Sequence, residues 1–379
     1  MTPAAVALRR VDWSFTHANT QEGPHGIHPY PAKFIPQIPR HLIRLFRPPE
    51  GTCVLDPFCG SGTTLVEAML AGLPSHGVDV SPLACLVAKV KTTPLRQLTV
   101  GKVREVRHNA ERAFARGQFR IPKIPRIDHW FQPKVQATLA CLLAAIDGVD
   151  AVDDRDALRV ALSSIIVRVS NQESDTRYAA VQKAVTAEDV FDLFSRRARA
   201  IIRATSSLDG GLLPTGPSPT ICNNDVLTLN PRRIPMPVGL VVTSPPYPNA
   251  YEYWLYHKYR MYWLGMNPIA VREQEIGARP HFFKKNAHTG QHFLLQMTRV
   301  FELLASAMDP CGLACFLIGR SIIRGERIDN LALLRSAASR YGFSVVEQIE
   351  RPIARTRKAF NLSHAAIERE HIAVFGCKR

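Results

Sequence analysis

Two short stretches hold residue types that could work on one substrate. DPFCGSGTT (56–64) places a carboxylate, Asp56, ahead of a G-x-G turn, and a second carboxylate, Asp79, follows 23 residues after the first. TSPPY (243–247) places the hydroxyl of Ser244 before Pro245, Pro246 and Tyr247. Glycines in the first stretch let backbone approach a ligand that a Cβ would exclude. An acid at the end of the following strand can accept both hydroxyls of a ribose. A dinucleotide site would instead want G-x-G-x-x-G, with a pyrophosphate at the helix N-terminus. Acids on both sides of the turn disfavour a pyrophosphate and favour a ligand with an ammonium group.

S-adenosyl-L-methionine carries such a group together with a ribose and an adenine. The second stretch then suits an exocyclic amino group of a nucleobase. N4 of cytosine or N6 of adenine is a poor nucleophile, because its lone pair is delocalised into the ring. A donor-poor turn offers acceptors, the Ser244 hydroxyl and the Pro245 carbonyl, which can take hydrogen bonds from both amino hydrogens and free the lone pair. The prolines fix that carbonyl, which is preorganisation of the kind catalysis requires. Tyr247 can stack on a base turned out of the duplex. A proline turn on a sheet rim would explain the same residues without chemistry. Two such stretches at strand ends of one sheet favour the chemical reading.

The elements that must position them form an α/β pattern. TCVLDPF (52–58) reads as a short buried strand, TLVEAMLAGL (64–73) as a helix closed by Gly72, and PSHGVDV (74–80) as a second strand. Together they make a βαβ unit. PTICNNDV and GLVVTSPPY resume strands, the latter stopping at Ser244 because proline cannot continue a ladder. FLLQMTRVFELLASAM predicts a helix, and GLACFLIG, FSVVEQIE and EHIAVFG predict the strands that finish a mainly parallel sheet. HGIHPYPAKFIPQIPRHLIRLF (25–46) predicts an extended segment and then a helix after Pro39. Residues 1–95 and 216–379 are thus two halves of one unit, and 96–215 a mostly helical insertion that could contact DNA or recognise the target. A helix over 250–264 and a polar, basic loop over 272–292 complete the pattern.

The charge of +16 suits a polyanion, although a basic surface kept for solubility would give the same sum. Residues 91–130 hold ten Lys or Arg against three acids, and RPIARTRK (351–358) holds four and none. No run of about 18 apolar residues argues for a membrane span, and the first residues lack a signal-peptide pattern. The eight cysteines are scattered, several in apolar runs, and are expected reduced, which suggests cytoplasm. His25 with His28, or His281, His288 and His292, could bind metal, but no four convergent ligands are evident and no metal is expected.

DPFCGSGTT together with TSPPY resembles the S-adenosylmethionine-dependent amino-methyltransferases of DNA. The resemblance covers residues 28–82 and 221–264, with fainter matches to residue 375. It implies a Rossmann-like methyltransferase fold, with a mainly parallel seven-stranded sheet and helices on both faces. It further implies that Asp56, Pro57, Phe58, Gly60, Gly62 and Thr63 line the methionine part of the cofactor. Asp79 would hold the ribose, Ser81 would line the adenine side, and Asp225 would meet the adenine amino group, with Asn223 or Asn224 as alternatives. HPYPAKFIPQIPRHLI is similar to a further cofactor element, with Lys33 and Phe34 near the methionine end.

Serine at the head of the catalytic turn is more typical of the cytosine-N4 branch, while adenine-N6 members more often carry Asp or Asn. The implied activity is site-specific methylation of cytosine N4 in duplex DNA with base flipping, within restriction–modification or a related defence system and beside a separate restriction endonuclease. Adenine N6 is the alternative, and an RNA base a further one. Here the cofactor elements precede the catalytic turn, the reverse of many serine–proline–proline members, and the 120-residue insertion between them is unusual.

Tyr251, Tyr253, Trp254 and Tyr256 could wall a base pocket or pack a helix, and helical spacing favours packing for most of them. Base-reading residues are expected in 96–130 and 272–292, and phosphate contacts in 351–358. Pro310-Cys311 has the form of a carbon-5 cytosine nucleophile, but lies in a helix-to-strand turn far along the chain from Ser244 and reads as structural.

Overall fold

The computed structural model describes residues 3–31, 33–175, 177–206, 216–248, 252–282, 287–353 and 369–377. The strands among them are β1 (Cys53–Asp56), β2 (Ser75–Asp79), β3 (Gln172–Ser174), β4 (Arg177–Ala180), β5 (Thr220–Asn223), β6 (Val238–Thr243), β7 (Met308–Gly319), β8 (Ser321–Ile323), β9 (Glu326–Ile328), β10 (Phe343–Pro352) and β11 (Arg369–Cys377). Seven of these form one sheet in the order β10-β11-β7-β6-β1-β2-β5. Pairing is parallel from β5 to β7, and β11 alone runs against its neighbours. This is the Rossmann-like α/β arrangement.

Central strands β1 and β6 are buried along their whole length, which is why CVLD and VGLVVT read as unbroken apolar runs. Their side chains still alternate between two faces. Val54, Leu240 and Val242 pack with Ile38, Leu42 and Ile43 of helix Gln37–Leu45, and with Leu8 of helix Pro3–Arg10. Leu55 and Val241 face the opposite way, toward Phe293, Met297 and Phe301 of helix Gly290–Ala307 and Leu334 of helix Asn330–Ser339.

A third core lies away from the sheet. Between β2 and β5 the chain makes helices Pro82–Thr92, Val100–Ala115, Ile127–Trp130, Pro133–Asp147, Val152–Val169 and Ala187–Ser206, with the β3–β4 hairpin among them. Val87, Leu139, Leu158, Ile165 and Phe194 from this layer pack with Tyr259, Met261 and Trp263 of helix Tyr253–Trp263. Helix Tyr253–Trp263 therefore belongs to both parts, because it follows β6 in the chain and closes the helical layer.

Several sequence expectations shift. The helix expected after Pro39 begins at Gln37. Proline fits there because the first turn of a helix leaves its N–H groups without intrahelical partners. The expected basic loop over 272–292 contains the end of helix Pro268–Gln274, a short turn over Arg279–Phe282 and the start of helix Gly290–Ala307. Pro310 and Cys311 lie within β7, not in a turn before it, in a stretch where the register against β6 shifts between Val238 and Leu240. Arg351, expected to touch phosphate, is buried in β10. It donates to the Trp13 carbonyl at 2.9 Å and pairs with Glu370 at 2.5 Å. The rest of that run from residue 354 on, and Tyr251, lie outside the described residues. Among the described residues no helix is long and apolar enough to cross a membrane.

Candidate active site

β1 and β6 are parallel neighbours, with Leu55 opposite Val241. From β1 the chain winds toward β2 and β5, and from β6 toward β7, so the order reverses between them. In open α/β sheets the crevice at such a switch point, beyond the carboxyl ends of the strands, is where ligands bind. Asp56 ends β1 and Thr243 ends β6. Thr243 Oγ1 donates to Asp56 Oδ1 at 2.6 Å, tying the two sequence motifs together.

The glycine turn is organised by the second acid. Gly60 N–H donates to Asp79 Oδ2 at 2.8 Å and Ser81 N–H to Asp79 Oδ1 at 2.8 Å. Phe58 N–H donates to Asp56 Oδ1 at 3.1 Å. Gly60 and Gly62 both have left-handed backbones, at φ +49° and +78°, but they serve different ends. A Cβ on Gly60 would find only ordinary contact, 3.8 Å from the Tyr30 ring, whereas one on Gly62 would sit 2.7 Å from Ala88 Cβ and 2.9 Å from Ala88 Cα. Gly60 borders the cavity, and Gly62 lets helix Pro82–Thr92 pack against the turn.

One cavity of about 940 Å³, its open mouth included, joins these parts. Its wall includes Lys33, Phe34, Asp56, Pro57, Phe58, Gly60, Thr63, Asp79, Ser81 and Asp225, with Ser244 and Pro246. Gly62, Pro245 and Tyr247 do not line it. The Tyr247 ring packs in the sheet core, with its hydroxyl 3.3 Å from Glu370 Oε1 and 3.4 Å from the Leu317 carbonyl. Asn224 is on the wall, while Asn223 donates to the Asp79 and Val80 carbonyls at 2.9 and 3.0 Å. Asp225 Oδ1 accepts from Leu227 N–H at 2.9 Å, and Ser81 Oγ caps its helix by accepting from Ala84 N–H at 3.3 Å.

Burial governs the charges. It pushes the Asp56 carboxyl up to about 6 against the hydrogen bonds that favour the anion, and pushes Asp79 up to about 6 in the same way. Burial also brings the Lys33 ammonium down to about 8. Lys33 Nζ donates to the His25 carbonyl at 2.7 Å and to Gln21 Oε1 at 3.2 Å.

The segment that carries Lys33 is held from both sides. His25 Nε2 meets Glu67 Oε1 at 2.9 Å, and Arg40 grips the same carboxylate at 2.8 and 3.0 Å. Burial alone would raise the Glu67 carboxyl, but its bonds to His25 and Arg40 prevail and hold it below the ordinary range. On the other side His28 Nε2 meets Ser163 Oγ of the helical layer at 3.0 Å. Between them Tyr30 lies 4.6 Å from the His257 ring and stacks on Tyr253 at 6.0 Å.

Tyr30, Tyr253, Gln274 and Glu275 also line the cavity. Of the aromatics weighed from the sequence, Tyr253 does so, whereas Trp254 is buried in the helical layer. Glu275 caps helix Tyr253–Trp263 from outside it, accepting from Tyr253 N–H at 2.9 Å and Trp254 N–H at 2.8 Å. Burial raises its carboxyl to about 8. Nothing local in the sequence announces that cap, because a carboxylate in a basic stretch looks like a surface charge.

The cavity fits S-adenosylmethionine. Asp56 offers a carboxylate to an ammonium, Lys33 an ammonium to a carboxylate, Asp79 acceptors to a ribose, and Asn224 and Asp225 polar groups to an adenine edge. Metal fits less well at the places weighed from sequence. The His288 and His292 rings stack at 4.4 Å with planes 7° apart, so their nitrogens cannot converge on one ion, and His292 Nδ1 accepts from Thr289 N–H. Among the described residues no group of three or more metal-binding side chains is assembled.

Comparison with known proteins agrees with this geometry. Residues 5–90 match the DNA methylase model of the N6/N4 methyltransferases. The chain is similar to the type II methyltransferase M.MvaI of Kocuria varians, 32% identical over 170 residues, covering 42% of this chain and 37% of that protein. It is 46% identical over 83 residues to the type II methyltransferase M.MjaII of Methanocaldococcus jannaschii, covering 22% and 15%. A tRNA (guanine(10)-N2)-dimethyltransferase of the same archaeon is 43% identical over 51 residues, or 14% of each chain. The chain thus spans little more than a third of M.MvaI and about a seventh of the other two relatives. With its two motifs joined at a single switch point, the chain is similar over residues 5–90 to the DNA methylases of the N6/N4 methyltransferase family.

Proposed function

We propose that the protein methylates the N4 amino group of cytosine at a specific site in duplex DNA, with the base turned out of the helix. The observation that carries this reading is the shared cavity. Ser244 and Pro246 border the same space as Asp56, Gly60 and Asp79, and the Thr243–Asp56 hydrogen bond holds the two strand ends in register. Bound there, S-adenosylmethionine supplies an electrophilic methyl group on a sulfonium. Asp56 and Lys33 bind its amino acid end, Asp79 its ribose, and Ser81, Asn224 and Asp225 border its adenine.

The Ser244 hydroxyl, on the cavity wall, accepts an amino hydrogen of the base and helps to localise the nitrogen lone pair, while Pro245, which does not line the cavity, holds the turn behind it. Pro245 and Pro246 fix the turn so that little reorganisation accompanies the reaction. Tyr30 and Tyr253 line the same cavity as Ser244, whereas Tyr247 does not. Serine rather than Asp or Asn at the head of the turn favours cytosine over adenine. Matches to type II methyltransferases favour DNA over RNA and support a restriction–modification setting.

Nucleoside mass spectrometry of DNA from cells expressing the protein tests this. N4-methylcytosine is the expected product. N6-methyladenine would transfer the reading to the other branch, and unmodified DNA with methylated RNA would overturn it.

Cofactor affinity should depend on pH. Burial raises the Asp56 and Asp79 carboxyls to about 6, and an ammonium ligand favours the ionised form. Affinity should therefore fall as pH drops through 6, by about tenfold between pH 7 and pH 5 for each carboxylate that must ionise. Without ligand the sign is opposite. A carboxyl raised on folding stabilises the fold below its unfolded pKa, and that contribution is lost as pH rises through about 6. Calorimetric titrations and thermal midpoints, with and without cofactor, check both signs. A flat affinity from pH 5 to 7 would remove Asp56 as the ammonium partner.

A further inference from the structure

Three basic residues from three different elements lie around the Trp254 and Tyr259 rings. Lys258, on helix Tyr253–Trp263, lies with its Nζ 5.7 Å above the Tyr259 ring and 6.0 Å from the Trp254 ring. Arg272, on helix Pro268–Gln274, lies 5.5 Å above the same Trp254. Arg126 comes from the helical layer. It is exposed, has a left-handed backbone at φ +55°, and follows Pro125, whose carbonyl accepts from the Tyr259 hydroxyl at 3.4 Å.

This crowd is not neutralised from within. Among the described residues neither Arg126 nor Lys258 has a carboxylate partner. Asp128, two residues beyond Arg126, accepts from Gln136 Nε2 at 2.9 Å. Among the described residues Arg272 pairs with its chain neighbour Glu273. Burial lowers the Lys258 ammonium, and Arg126 and Arg272 lower it further by repulsion. Like charges pressed together over an aromatic floor favour an anion between them.

The position selects which anion. Tyr253 lines the cavity, and Lys258 lies five residues further along the same helix, a rise of about 7.5 Å. Arg272 is flanked by Val271 and Gln274, both on the cavity wall. A nucleic-acid strand carries one charge per ~3.4 Å of axis. Phosphates next to a turned-out nucleotide therefore come within reach when its base enters the cavity.

We infer that Arg126, Lys258 and Arg272 form a phosphate clamp for the DNA strand that carries the target base. The inference rests on the reading of the chain as a DNA methyltransferase. It gives the helical layer a second duty besides any reading of bases, because Arg126 is its contribution to the clamp. Backbone contacts of this kind position the strand and carry no sequence information.

The test is duplex binding by the full chain, followed by fluorescence anisotropy over a salt series with Arg126→Gln, Lys258→Gln and the double variant. Glutamine keeps much of each stem and removes the charge, and Arg126 is exposed enough that its variant should fold even if Lys258→Gln does not. Each loss should make the slope of log affinity against log salt shallower by about 0.9, equally for cognate and unrelated duplexes. Arg340→Gln, an exposed site just past helix Asn330–Ser339, should leave the slope unchanged. A double variant with the wild-type slope would overturn the clamp. A wild-type protein that binds no duplex at all would instead overturn the functional reading on which the clamp rests.

Discussion

Ser244→Ala is expected to slow methyl transfer by about 10²–10³-fold, the range found when one preorganised hydrogen-bonding group is removed from a transition state, while cofactor affinity stays within about twofold. The separation follows from the geometry. Ser244 is the first residue after β6 and borders the cavity, but the bond that ties β6 to the cofactor side comes from Thr243. Removing one hydroxyl leaves that bond, the prolines and the glycine turn in place. Single-turnover rates with saturating DNA, set against calorimetric cofactor titration, distinguish the two effects. Equal rates in the variant would remove Ser244 from the chemistry, and a joint loss of rate and affinity would make it a structural residue.

Gly62→Ala is expected to destabilise the protein by about 2–6 kcal/mol, combining left-handed strain of about 1–3 kcal/mol with overpacking of about 1–3 kcal/mol. Its added methyl meets Ala88 Cα at 2.9 Å, backbone that cannot swing aside. Gly60→Ala has comparable φ strain but no clash, since its nearest neighbour is the Tyr30 ring at 3.8 Å. It should melt closer to the wild type yet bind cofactor more weakly, because the methyl enters the cavity. Thermal midpoints and cofactor titrations of the two variants should therefore rank in opposite orders. If both variants lost affinity without losing stability, Gly62 would be a ligand-cradle residue after all.

That pair of glycines also marks the limit of what the sequence reveals. A G-x-G turn between a strand and a helix looks like a ligand cradle throughout. The neighbour that explains Gly62 is on another helix, 26 residues away at Ala88. The βαβ unit was legible because its signals are local: apolar runs, a turn and a closing glycine. Convergence of Asp56 and Ser244 was legible through the rule for strand ends, although 188 residues separate them.

Tyr30 and Glu275 were not legible as cavity residues. Each acts through partners far along the chain, Tyr30 beside Tyr253 and His257, and Glu275 on the N–H groups of Tyr253 and Trp254. Tyr247 too is placed by partners far along the chain. An aromatic after a proline turn is suited to stacking on a base, but β7 and β11 supply a closer home for its hydroxyl.

The adjacency of β1 and β6 has a consequence for ancestry. The reaction centre depends on which strands touch, not on which is synthesised first, so a gene could encode its two halves in either order. The first helix already lies against the last strands, with Arg9 2.9 Å from Glu347 and the Trp13 carbonyl bound by Arg351. The order of the two motifs along a chain is therefore free to vary around one and the same geometry.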